Sequence, residues 1–161
     1  MLENELSFLV KRLPDLDCLK RADIRQDYLS NGPEPLRLRR IGDRFELTKK
    51  LDTDPGDMTR KEELTIPLTE SEYREILPLS KRGLLKTRYY CPLPGGLIAE
   101  IDVFSRPLTG LVMVEVEFPD ESSRNAFVPP DWFGRDISQE EWATNSWLAG
   151  RTFEEISRFI R

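Results

Sequence analysis

The sequence predicts a mainly β fold of the α+β class: about eight antiparallel strands closed into a tunnel-like barrel with a charged interior, and helices packed outside. Three observations lead there. Hydrophobicity alternates with period two along most of the chain from Leu2 to Phe118. The polar side of that alternation carries charges at i and i+2 on strand after strand. Apart from one short helix after Thr69, the period changes to a helical one beyond Asp120.

Leu2 to Val10 sets Leu6, Phe8 and Val10 against Glu3, Glu5 and Ser7. Ile24 to Leu29 follows, with Gln26 and Tyr28 on one face. Leu36 to Ile41 opposes Arg37 and Arg39 to Leu36 and Leu38, and a turn at Gly42-Asp43 leads into Arg44 to Lys50. Pro55-Gly56 marks a loop. Arg60 to Leu68 places Leu64, Ile66 and Leu68 opposite Lys61, Glu63 and Thr65. Thr69 and Glu72 are spaced as a capping box, Tyr73, Ile76 and Leu77 form an apolar stripe, and Pro78 ends that helix. Leu85 to Leu93 carries Lys86, Arg88 and Tyr90 on one face. Gly95-Gly96 turns the chain into Leu97 to Phe104, with Glu100 and Asp102 opposite Ala99, Ile101 and Val103. "LVMVEVEF" from Leu111 is the last strand, with Glu115 and Glu117 on its polar side. Asp120 to Phe127 reads as helix and "VPPDWFG" as a turn. Ser138 to Ala149 and Thr152 to Arg161 read as helices with Ser138/Glu141 and Thr152/Glu155 boxes.

The 161 residues suit one domain spanning 1–161. The net charge of −5 argues against a nucleic-acid partner, since phosphate backbones select basic surfaces. There is no histidine, so imidazole acid–base chemistry and most zinc sites are excluded. Cys18 and Cys91 lack metal-ligand spacing and fit reduced thiols in a cytoplasmic protein. No apolar run is long enough to span a membrane, and the N-terminus lacks the pattern of a signal peptide.

The charged face admits two readings. One is a one-sided sheet whose polar face meets water. The other rests on segregation. Glu3/Glu5, Glu100/Asp102 and Glu115/Glu117 are acidic pairs, and Arg37/Arg39 and Lys86/Arg88 are basic pairs. Bases bind a polyanion, and carboxylates hold hard divalent cations that bridge to its oxygens. Closing the barrel would turn this face inward, at a cost in desolvation that ligands would offset.

The ordered set "ENELSFLV", "RQDYL", "RLR", "ELTKK", "LLKTRYY", "AEIDVF", "GLVMVEVEF", "FVPPDWFGRDIS" and "TNSWLA" resembles the CYTH superfamily, the triphosphate tunnel metalloenzymes, over the whole chain. It is most similar to the bacterial single-domain triphosphatase branch. The resemblance implies an eight-stranded tunnel, a triphosphate along it, Mg2+ or Mn2+, and in-line attack by water on a terminal phosphoryl group. By position it implies that Arg37, Arg39, Lys49, Lys86 and Arg88, joined here by Lys61, bind phosphate. Glu3, Glu5, Glu115 and Glu117 would hold metal. Glu63, Glu100 and Asp102 would serve metal or water, and Tyr28 matches a tyrosine near the site, although packing also explains it.

Two positions depart from the family pattern. Ser7 stands where the lysine of ExExK is expected, and Lys61 precedes Glu63 where two alternating glutamates are usual. A class IV adenylate cyclase and a non-catalytic triphosphate- or nucleotide-binding module are the alternatives. A triphosphate-containing small molecule is the expected partner, with a homodimer left open. Trp132 and Phe133 are expected to pin a loop to the core, and Trp142, Trp147 and Leu148 to be core contacts.

Overall fold

The computed structural model describes residues 2–32 and 34–160; Arg161, the expected end of the last helix, lies outside the described residues. Nine strands follow in chain order: β1 (Leu2–Val10), β2 (Lys20–Tyr28), β3 (Leu36–Ile41), β4 (Arg44–Asp52), β5 (Arg60–Leu68), β6 (Arg82–Pro92), β7 (Ile98–Phe104), β8 (Val112–Phe118) and β9 (Phe133–Asp136). The helices are α1 (Glu70–Ile76), α2 (Glu121–Asn125), α3 (Asn145–Leu148) and α4 (Phe153–Ile160).

The sheet runs β5–β4–β3–β2–β6–β7–β8–β1, and β5 pairs back onto β1. Eight antiparallel strands therefore close a barrel. The closure is short. Leu2–Asn4 of β1 pair with Arg60–Glu62 of β5. Farther along, the same edge of β1 turns to β9, with Phe8 opposite Asp136 and Val10 opposite Phe133. A seam is left where β1 changes partner.

Cross-strand register carries the charged faces inward together. Arg37 lies opposite Thr48, Thr48 opposite Thr65, and Lys50 opposite Glu63. Arg88 lies opposite Asp102, Glu100 opposite Glu115, and Glu115 opposite Ser7. Outside, Phe8, Ile101, Val114, Val116 and Phe118 are buried beneath Phe127, Trp132 and Phe133. Phe133 meets Phe8 edge-on at 5.1 Å and Trp132 at 4.4 Å, so both aromatics do pin this segment to the barrel. The segment expected to be only a turn adds β9 here, because burying Phe133 brings its backbone alongside the open edge of β1.

The helices lie outside the barrel wall, and the later ones close one end of it. Leu148 of α3 and Ile156 of α4, with Trp142, pack on Tyr28, Leu84, Phe104 and Met113. By alternation those four share the inner face, so the C-terminal segment plugs the barrel. The expected continuous helix from Ser138 to Ala149 is broken. A single 3-10 turn, Glu141–Ala143, precedes α3, and Thr144 caps α3. Ser138 does not cap a helix; its hydroxyl donates to Asp136 and accepts from the Ser7 amide. The Thr69/Glu72 and Thr152/Glu155 boxes form as expected. Among the described residues no helix is long and apolar enough to cross a membrane.

Candidate active site

Two walls of unlike character face each other inside the barrel. On the β6–β7–β8 wall the inward cations, Lys86 and Arg88, are paired with carboxylates. Buried Asp102 accepts from Arg88 Nε and Nη2 at 2.7 Å each and from the Lys86 ammonium. Arg88 also donates to Glu100, and to Glu115 at 2.6 Å. Lys86 reaches Asn145 at 3.2 Å. Burial alone would raise the Asp102 carboxyl, but Arg88 and Lys86 hold it below its ordinary value.

The β3–β4–β5 wall is different. Arg37 is 7% exposed, and its Nε and Nη2 are buried without a hydrogen-bond partner. Its nearest anion, Glu63, stands 3.6 Å away, too far for a hydrogen bond. Lys50 lies 2.7 Å from Glu3 and 3.7 Å from Glu63. Lys61 faces inward, 3.3 Å from Asp52, while Glu62 is exposed. Arg39 is neutralised by Glu46, to which its Nε donates at 2.6 Å.

A cavity of about 110 Å³ opens beside this wall. Glu5, Tyr28, Arg37, Lys61 and Glu115 line it as the sequence suggested, and so do Ser7, Lys50, Ser138, Asn145 and Ser146. Glu3 and Glu63 stand behind it as partners of Lys50. Arg39, Lys86, Arg88, Glu100 and Asp102 do not line it and are held in ion pairs, Lys86 and Arg88 directly behind the lining residues Asn145 and Glu115, and Glu117 is exposed. Tyr28 serves both packing and lining: it belongs to the plug and accepts from Gln26 Nε2 at 3.3 Å. Burial pushes its phenol up, so it stays protonated.

Lys49 does not join the site. It is exposed on the outer face, and Lys50 takes the inward position. The signal was in the sequence: Phe45, Leu47 and Leu51 share the parity of Lys49, so the apolar face claims that lysine. Thr48 follows from the same parity. Ser138, Asn145 and Ser146 had no such signal, because a broken helix brings them in.

The carboxylates are strained electrostatically. Burial pushes Glu3 up to about 7, offset only partly by Lys50. Burial also acts to raise Glu63, but a hydrogen bond from Glu3, then Lys50 and Thr65, draw it down to about 2. Below about pH 7 the raised Glu3 carboxyl can therefore donate to the Glu63 carboxylate. A carboxyl raised in the fold stabilises it below its unfolded value and loses that contribution as pH rises through the folded value. The ligand-free protein should therefore lose stability between pH 4.5 and about 7, by an amount of order 2 kcal/mol. Melting temperatures across that range check this, and Glu3→Gln, which still donates to Glu63, should flatten the slope. An equally steep slope in the variant would assign it elsewhere.

Glu5 is pushed up by burial and by the neighbouring Glu115, against the pull of Lys50. Its carboxylate accepts no hydrogen bond among the described residues. No group of three or more carboxylates among them is drawn together tightly enough to form a ready metal cage. Their chemistry does fit a hard divalent cation, since oxygen donors repel one another here and a cation would relieve Glu5 and Glu115 together.

No family model matches the chain. It is 38% identical over 153 residues to the inorganic triphosphatase of Nitrosomonas europaea, covering 92% of this chain and 97% of that protein. The chain belongs to the inorganic triphosphatase family, within the triphosphate tunnel metalloenzymes. A second inorganic triphosphatase, from Acetivibrio thermocellus, is 31% identical over 157 residues, covering 96% of this chain and 97% of that one. The crystal structure of the inorganic triphosphatase NE1496 superposes with a TM-score of 0.67 at 35% identity, over 91% of this chain and 93% of the other. Membership in the inorganic triphosphatase family accords with the closed barrel and its inward charges.

Proposed function

We propose that this chain hydrolyses inorganic triphosphate or a small organic triphosphate, by in-line attack of water on a terminal phosphoryl group. One observation carries this reading: Arg37 is buried on the wall of a polar cavity with two guanidinium nitrogens that have no hydrogen-bond partner. An unsatisfied buried cation is costly unless an anion completes it. Arg37, Lys50 and Lys61 would hold phosphoryl oxygens. Lys61 supplies a cation on the same cavity as Ser7, which lacks the family lysine's charge. Glu5 and Glu115 would hold Mg2+ or Mn2+, with Glu3 and Glu117 nearest along β1 and β8. When bound, such an ion neutralises charge on the phosphates and polarises the phosphoryl group. Glu63 holds Lys50 and Arg37 in place. Asp102 and Glu100 act as positioning residues, because they fix Lys86 and Arg88. Tyr28 walls the cavity as a neutral hydroxyl.

Tripolyphosphate incubated with the protein and Mg2+ or Mn2+ should release orthophosphate, measured directly. ATP converted to cyclic AMP and pyrophosphate would favour a cyclase, and tight binding without products would favour a binding module. Tripolyphosphate should also raise the melting temperature more than sulfate at equal ionic strength. Ligand at a hundredfold excess over Kd adds about 2.7 kcal/mol. Equal shifts would make the cationic wall an unselective surface.

A further inference from the structure

The seam in the barrel is stapled by one side chain. Past Asn4, β1 leaves β5: the Glu5 amide donates to the Thr59 carbonyl at 2.9 Å, and then Ile137 donates to Ser7 at 2.8 Å. Two lips face each other there, the end of the β4–β5 loop at Asp57–Thr59 and the turn Ile137–Glu140, closed by the Glu140 amide donating to the Ile137 carbonyl at 3.0 Å. Gln139 bridges them reciprocally. Its Oε1 accepts from the Met58 amide at 3.0 Å, and its Nε2 donates to Asp57 Oδ1 at 3.0 Å. The residues are 81 and 82 positions apart in the chain. Asp57 is itself fixed, accepting from the Thr59 amide at 2.9 Å and its hydroxyl at 2.5 Å, and Arg124 donates to that hydroxyl. Met58 on one lip and Ser138 and Glu140 on the other line the cavity. Gln139 is exposed and does not line the cavity; its side chain makes these two hydrogen bonds.

We propose that the Gln139 clasp sets the width of the cavity's entrance, and so makes the site selective for a bare phosphate chain over a triphosphate bearing a bulky organic group. A linear polyphosphate is one tetrahedron wide and passes between lips held by a single side chain. A nucleoside at the same place needs them parted. Selectivity then comes from a barrier against the wider ligand rather than from an added contact with the narrower one. This rests on the triphosphatase reading above.

The test compares kcat/KM for tripolyphosphate and ATP, with saturating Mg2+ or Mn2+, in wild type, Gln139→Ala and Gln139→Glu. Alanine removes both bonds, and glutamate cannot donate to Asp57 and repels it. Both should raise the ATP-to-tripolyphosphate ratio at least about tenfold, while tripolyphosphate turnover stays within about threefold of wild type. Because Gln139 is exposed, both variants should fold. An unchanged ratio in both variants overturns the clasp. If wild type hydrolyses neither compound, the hydrolase reading falls, and the clasp is judged on binding: ATP must raise the melting temperature of Gln139→Ala more than that of wild type, or the proposal fails.

Discussion

Arg37→Met should slow tripolyphosphate hydrolysis by roughly 30-fold to several thousandfold and leave the free protein at least as stable as wild type. The substitution keeps an unbranched apolar stem and deletes a buried guanidinium whose Nε and Nη2 have no hydrogen-bond partner. Losing a charge-assisted contact of this kind costs about 2–5 kcal/mol in binding, a factor of roughly 30 to several thousand in rate if the contact persists in the transition state. Stability should move the other way, because a buried charge with unsatisfied donors is replaced by packing. The ion pair to Glu63 is long at 3.6 Å and contributes little against this. Two measurements decide the matter: phosphate release, and the melting temperature with and without tripolyphosphate. A variant that is destabilised yet still stabilised by tripolyphosphate would show that Arg37 supports the fold and not the ligand.

Chelation should stop hydrolysis, and Glu5→Gln should reproduce that loss without harming the fold. Glu5 is a cavity carboxylate raised by burial and repelled by Glu115, with no hydrogen bond to satisfy it. A polyanion entering beside such groups is repelled unless a cation intervenes. Glutamine removes the charge and keeps the shape, so the apo protein should melt at the same temperature or higher. Activity should fall by at least two orders of magnitude, and excess Mn2+ should restore part of it if the loss is one of metal affinity. Hydrolysis that continues undiminished in excess EDTA would rule out the cation altogether.

Much of this was legible in the sequence because a strand has a period of two. Glu3/Glu5, Arg37/Arg39, Lys61/Glu63, Lys86/Arg88, Glu100/Asp102 and Glu115/Glu117 share the inner face once the strands pair, and local alternation is enough to find them. The sequence left Lys61 against Glu62 open, since adjacent charges blur the register; the structure turns Lys61 to the cavity and Glu62 to solvent. Lys49 against Lys50 was mistaken although Phe45 and Leu47 held the information. What alternation could not show is which charges are spent on one another. Arg88 and Lys86 look as available as Arg37 in one dimension. Only the register of β6 on β7 brings Asp102 between them. The contribution of Ser138, Asn145 and Ser146 was also out of reach. It depends on Trp142 and Leu148 packing into the barrel end, which breaks a sequence that otherwise reads as one helix.

The divided edge of β1 also sets an order of assembly. The first strand cannot complete its pairing until residues Phe133–Asp136 exist, although its other neighbours, β5 and β8, come earlier in the chain. Until then the Phe8–Val10 edge of β1 stays unpaired, and the apolar surface that Phe133 covers stays open. Non-local topology of this kind slows folding and prolongs exposure to aggregation. On the ribosome, a nascent chain ending near Pro129 should remain protease-sensitive along β1, and protection should appear only once the segment through Ile137 has left the exit tunnel. Pulse proteolysis of stalled chains of increasing length would detect that step, and early protection of β1 would show that the barrel closes without its ninth strand.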